Sequence, residues 1–126
     1  DHRDLARELI GLAEDDRAAA AALLDVVGVS DAIGAFHAQQ AVEKSLKAVL
    51  ASRGVDFPFT HNLAALFQLC EDGGVEVPAE LEEADRLTPY AVAARYGSRS
   101  PATVDRATAL RFAAAAVRWA VGLVEP

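Results

Sequence analysis

Cysteine occurs once in this 126-residue chain, at Cys70, so no disulfide can staple the fold from within. A reducing compartment is the matching expectation. Histidine is nearly as scarce: His2, His37 and His61, scattered with Cys70, show no metal-ligand spacing, and no metal is expected. There is no GxxxxGK run followed by Ser or Thr, and no GxGxxG, to cradle a phosphate. No serine or cysteine sits in a recognised nucleophile motif. These gaps argue against a conventional hydrolase or metalloenzyme and leave no cofactor to expect. Long apolar runs are missing as well. Asp1-His2-Arg3-Asp4 has no apolar stretch behind it, the run from Ala18 to Leu24 is too short to span a bilayer, and Arg118 interrupts the C-terminal one. A soluble, cytoplasmic protein without membrane contact, one domain over residues 1–126, is the expectation.

What the chain does have is apolar residues, 52% of the total, and a net charge of −7. That acidity argues against sequence-independent nucleic-acid binding over the whole surface. The charges are segregated, however. Residues 1–31 carry −5, 32–55 carry +2, 56–85 hold eight acids and no base, and 86–118 hold six arginines against Asp105. Two basic segments in an acidic molecule point to an anionic partner if folding brings them together.

Periodicity predicts helices throughout. Leu5, Leu9, Leu12, Ala20, Leu23 and Val27 recur at three- and four-residue steps, predicting a first helix from about residue 3 to 26 with those residues facing the core. Ser30 is a good N-cap for a second helix ending near Ser52, before a C′ glycine at Gly54. Thr60 or Asn62 caps a third helix through about Cys70. Pro78 opens a short helix to about Arg86, and Thr88-Pro89 opens another to Arg95-Tyr96. Ser100-Pro101 reads as the cap and first residue of a last long helix. No segment alternates like a strand. The fold class expected is all-α, an up-and-down antiparallel bundle of four or five helices.

The second helix is the most informative stretch. His37, Gln40, Lys44 and Lys47 follow each other at steps of three, four and three, so they share one face rich in donors and positive charge. The competing reading is a solvated polar face with Glu43 and Lys47 as an i,i+4 pair.

The block FHAQQAVEKSLKAVLASRG, followed by FPFTHNL and LTPYAVAARY, resembles the HEPN family over residues from about 33 to 96. The resemblance implies a helical bundle, commonly a homodimer, associated with nucleotide or RNA binding. It also implies a minimal nucleotidyltransferase as partner, in a toxin–antitoxin-like pair. Some members are metal-independent ribonucleases that use an Arg followed four to six residues later by His. Here Arg95 is followed by Tyr-Gly-Ser-Arg-Ser-Pro, and no histidine occurs beyond His61, so that motif is absent and no catalytic residue is assigned. A ribonuclease with a rearranged site, or a purely structural interaction domain, are the alternatives. Carried over by position, the resemblance points to Lys44, Lys47, His61, Arg95 and Tyr96 as ligand-meeting residues, with Arg99 adding charge. His37 and Gln40 complete the polar helix face. The reading requires Lys44, Lys47 and Arg95 to surround one positive, solvent-reachable hollow.

Overall fold

The computed structural model describes the backbone of residues 1–96 and 104–125, and side chains except those of 93–103 and 126. Five α-helices follow in order: α1 (His2–Ala22), α2 (Asp31–Ser52), α3 (Leu63–Asp72), α4 (Thr88–Tyr96) and α5 (Arg106–Val124). Two single 3₁₀ turns, Ala79–Leu81 and Ala84–Leu87, lie between α3 and α4. No strand occurs among the described residues, and the chain is an all-α helical bundle.

The helix ends follow local chemistry. Ser30 caps α2 by accepting from the Ala32 N–H, and Asn62 caps α3 by accepting from Ala65. Asp1 and Asp4 form a capping box at the start of α1. Past α2, Gly54 takes φ +68°, the left-handed conformation that ends a helix cheaply only at glycine. Three boundaries differ from expectation, the first being that α1 ends at Ala22 and not near residue 26. The last long helix begins at Arg106, capped by the Asp105 carboxylate on the Thr108 N–H; Ser100 and Pro101 precede it, outside the described residues. Pro78 opens a single 3₁₀ turn in place of a continuous helix to Arg86: its carbonyl accepts from Leu81, and a second such turn follows.

A larger correction concerns α1. Its buried residues are Ala6, Ile10, Ala13 and Ala20; of the apolar side expected from the sequence, Ala20 is buried and Leu9 packs half-buried on the core, whereas Leu5 and Leu12 are 43% and 45% exposed and Val27, beyond the helix, is 96% exposed. The helix carries two apolar stripes of equal period. Close packing selects the one made of small side chains. α1, α2 and α5 meet along Ala6, Ala13 and Ala20, Gly34, Ala35, Ala38 and Ala41, and Ala109, Ala113, Ala116 and Ala120. Alanines let the axes approach closely, and leucines there would force them apart. The larger buried side chains lie elsewhere: Leu46, Val49 and Leu50 of α2, Leu63 and Leu66 of α3, Leu81, Leu87 and Tyr90.

The helix directions follow from specific contacts. The start of α1 and the ends of α2 and α5 border one cleft, so α1 runs antiparallel to both. At the other end Arg106 fastens the start of α5 to the α1–α2 connection. Its Nε donates to Asp31 at 2.6 Å, Nη1 to the carbonyls of Leu23 and Val26 at 2.6 and 2.7 Å, and Nη2 to the carbonyl of Val29. By length and composition α5 would suit a membrane span; here it packs against α1 and α2.

Candidate functional site

α2 is the central helix, packed on α1, α3, α4 and α5, so even its polar residues are largely enclosed. Residues 55–61 run back along it: Phe57 lies beside Lys47, and His61 lies beside Glu43 and Gln39. This return strap converts a helix face into a lined site.

Glu43 is its hub. The carboxylate is only 4% exposed, yet Oε1 accepts from Gln39 at 3.0 Å and meets His61 Nδ1 at 2.8 Å, while Oε2 accepts from Lys47 at 2.9 Å. Burial alone would push this carboxyl up; hydrogen bonds from Gln39, Lys47 and His61 outweigh it, and the net shift is downward. Gln39, fully buried, also donates to the His61 carbonyl at 3.2 Å and accepts from Gln40 at 2.6 Å. One turn away, Asp16 of α1 is the second hub. Its carboxylate meets His37 Nδ1 at 3.0 Å and Lys44 Nζ at 2.5 Å. The His37 ring also sits edge-on to Phe36, with centroids 5.3 Å apart.

Lys44, Lys47, His37, Gln40 and His61 are therefore gathered on one face, but not as a free positive mouth. Each lysine rests on a carboxylate, with 23% and 14% of its side chain exposed. Among the described residues the two lysines of this polar stripe do not form the expected electropositive hollow, because each is paired with a carboxylate. Arg95 and Tyr96 end α4, which packs on α2, but their side chains lie outside the described residues, as does all of Arg99.

Several members of this site went unnoticed in the sequence. Asp16, Gln39, Phe57 and Phe59 were not singled out, and Glu43 was read as a surface partner. Lys47 Nζ lies 5.7 and 5.9 Å from the ring centroids of Phe57 and Phe59, within cation–π range. Phe59 itself is wholly exposed. The FPF spacing around Pro58 is the available signal: on this proline-fixed strap Phe57 packs half-buried against the core while Phe59 stands outward.

Chemically the stripe offers ordered donors, two imidazoles and a free aromatic face. The Nε2 atoms of His37 and His61 have no partner among the described residues, so each remains open to a ligand. The Ser45 hydroxyl is buried and donates to the Ala41 carbonyl, and burial pushes the Cys70 thiol up to about 11, leaving it protonated at neutral pH. No group of three or more His, Cys, Asp or Glu side chains able to hold a metal ion occurs among the described residues.

Comparison with known proteins adds the family. The HEPN domain profile matches residues 6–123, nearly the whole chain, and the chain belongs to the HEPN domain family. Membership supports a nucleotide- or RNA-related module at the level of the family. No curated protein and no solved structure gives a significant match.

Proposed function

We propose that this HEPN chain is a non-catalytic module that binds a nucleotide or an RNA segment on the α2 face and works beside a minimal nucleotidyltransferase in a toxin–antitoxin-like pair. The observation that carries the reading is the exposed Phe59 ring, held next to Lys47 and beside the ordered His61–Glu43–Gln39 network. An exposed aromatic face gives a base somewhere to stack, a contribution of about 1–3 kcal/mol per base. The open Nε2 atoms of His37 and His61 and the remaining ammonium donors of Lys44 and Lys47 supply hydrogen bonds around it. Arg95, Tyr96 and Arg99, carried over from the family resemblance, belong to the same proposed ligand set. Homodimerisation, through a face bearing the exposed Leu5 and Leu12, belongs to the same reading, as does a cytoplasmic location.

Amide NMR mapping tests it. Titration with short RNAs, ATP and GTP at low salt should move the resonances of residues 37–47 and 59–61. Phe59→Ala and Arg95→Ala should each weaken that response about tenfold. Ligand concentrations in the millimolar range that leave those resonances unmoved would refute the binding face. Co-expression with a minimal nucleotidyltransferase encoded beside this chain tests the partner: a stable complex supports the pairing, and separate elution counts against it.

A further inference from the structure

The pairing of Lys44 and Lys47 shifts attention to the cations that lack a partner. The first turns of α1 and the last turns of α2 and α5 border a cleft of about 450 Å³. Arg3, Arg7 and Arg53 line it, with Ala6, Leu123 and Val124 as apolar wall and Ser52 at the edge. Among the described residues no carboxylate lines it. Arg3 and Arg53 make no ion pair or side-chain hydrogen bond among the described residues, and Arg7 has only a loose, exposed contact to Asp4 at 3.4 Å.

This arrangement runs against the local field. Arg3 and Arg7 occupy the first two turns of α1, where the helix dipole favours acids and disfavours cations. Arg53, at the C-cap of α2, is favourably placed by the same rule, yet it brings a third positive charge to the same cleft. The three arginines bring three like charges to the border of one hollow, and only Arg7 has a carboxylate partner among the described residues. An anion between them would offset those charges and collect forked hydrogen bonds, which guanidinium makes to phosphate oxygens in pairs.

We propose that this cleft binds a polyphosphate group. Three guanidiniums match a ligand of several negative charges better than a monophosphate, and the cleft is of the size that holds a nucleotide-sized molecule. The Leu123–Val124 wall offers an apolar surface to whatever the polyphosphate carries. That carrier is a free nucleoside triphosphate or the 5′ end of an RNA; both present the same chemistry to the arginines. The cleft shares no residue with the α2 face, so the two sites stand or fall separately.

Isothermal titration calorimetry on the full chain at low ionic strength tests this with inorganic tripolyphosphate, ATP, AMP and short RNAs bearing a 5′-triphosphate or a 5′-hydroxyl. Tripolyphosphate and ATP should bind once per chain, with AMP at least about tenfold weaker. Arg3→Ala and Arg53→Ala should each weaken tripolyphosphate binding by about tenfold, while Arg111→Ala, elsewhere on the surface, changes it less than about twofold. ATP binding tighter than tripolyphosphate identifies a nucleotide ligand, and 5′-triphosphate RNA binding tighter than ATP identifies an RNA end. Absence of saturable heat with millimolar tripolyphosphate overturns the proposal. So does unchanged binding in the Arg3→Ala/Arg53→Ala double variant, whose helicity is checked by circular dichroism.

Discussion

Replacing Glu43 tests whether the network on α2 holds the fold together. In Glu43→Ala the Lys47 ammonium, on a side chain 14% exposed, loses the one carboxylate paired with it among the described residues, and Gln39 and His61 each lose one contact. Removing one partner of a buried pair costs about 3–5 kcal/mol. Lys47 can swing partly toward solvent and Gln39 keeps its bonds to the His61 carbonyl and to Gln40, so the lower end applies, about 3 kcal/mol. Urea unfolding would then show a midpoint lower by roughly 1–2 M with an unchanged slope. The double variant Glu43→Ala/Lys47→Ala should recover at least about 1 kcal/mol, because the stranded ammonium is gone. The acid limb gives a second reading. The Glu43 carboxyl lies below its ordinary value of 4.5 in the folded chain, so its stabilisation is present above 4.5 and is lost as pH falls through the folded value. The stability gap between wild type and Glu43→Gln should therefore narrow on acidification below 4.5. A loss under about 1 kcal/mol in Glu43→Ala, or no coupling to Lys47, would show that water already satisfies these groups and would refute the account.

Three further perturbations read other parts of the fold. Arg106→Lys cannot fork onto Asp31 and three carbonyls at once, and urea unfolding should register a loss of about 2 kcal/mol, with Arg106→Ala at least as severe. The Cys70 thiol, buried and pushed up to about 11, should react with a thiol reagent at pH 8 far more slowly than in urea-unfolded chain; comparable rates would place it at the surface. Gly11→Ala adds a methyl with nothing within 4 Å in the middle of α1 and should raise stability by about 0.5–1 kcal/mol in the same urea assay.

Some of this architecture was legible in the sequence because it depends on neighbours along the chain. Ser30, Asn62 and Gly54 act through their own backbone or the next turn, and α2 falls where those signals place it. What could not be read depends on a choice between faces. Leu5, Leu9 and Leu12 have the period of a core stripe, and so do Ala6, Ile10 and Ala13 one step along. Hydrophobicity favours the first set. The decision went to the second because α5 and α2 also bring alanines to that contact, a fact about three helices jointly. The start of α5 was misplaced for a related reason. Ser100-Pro101 is an acceptable cap locally, but the helix begins where Arg106 reaches the carbonyls at the far end of α1, 77 to 83 residues away in sequence.

The same distinction governs the charges. Counting along the chain located two basic segments but could not say which cations remain available, since pairing is decided by helices that meet in space. Asp16, in the Glu14-Asp15-Asp16 run, is set apart by nothing in the sequence; the antiparallel packing of α1 on α2 delivers it to Lys44 and His37. Glu43 neutralises Lys47, Asp31 neutralises Arg106 and Glu80 reaches Arg118. Among the described residues this leaves Arg3, Arg17 and Arg53 without an ion pair or side-chain hydrogen bond, and two of those three border a single cleft. A paired lysine must exchange one partner for another to hold an anion, whereas an unpaired guanidinium surrenders only water. The two faces therefore suit different work. The α2 stripe holds its lysines paired and ordered, which suits the proposed reading of a base, while the cleft holds two arginines without an ion pair among the described residues, which suits the proposed phosphate.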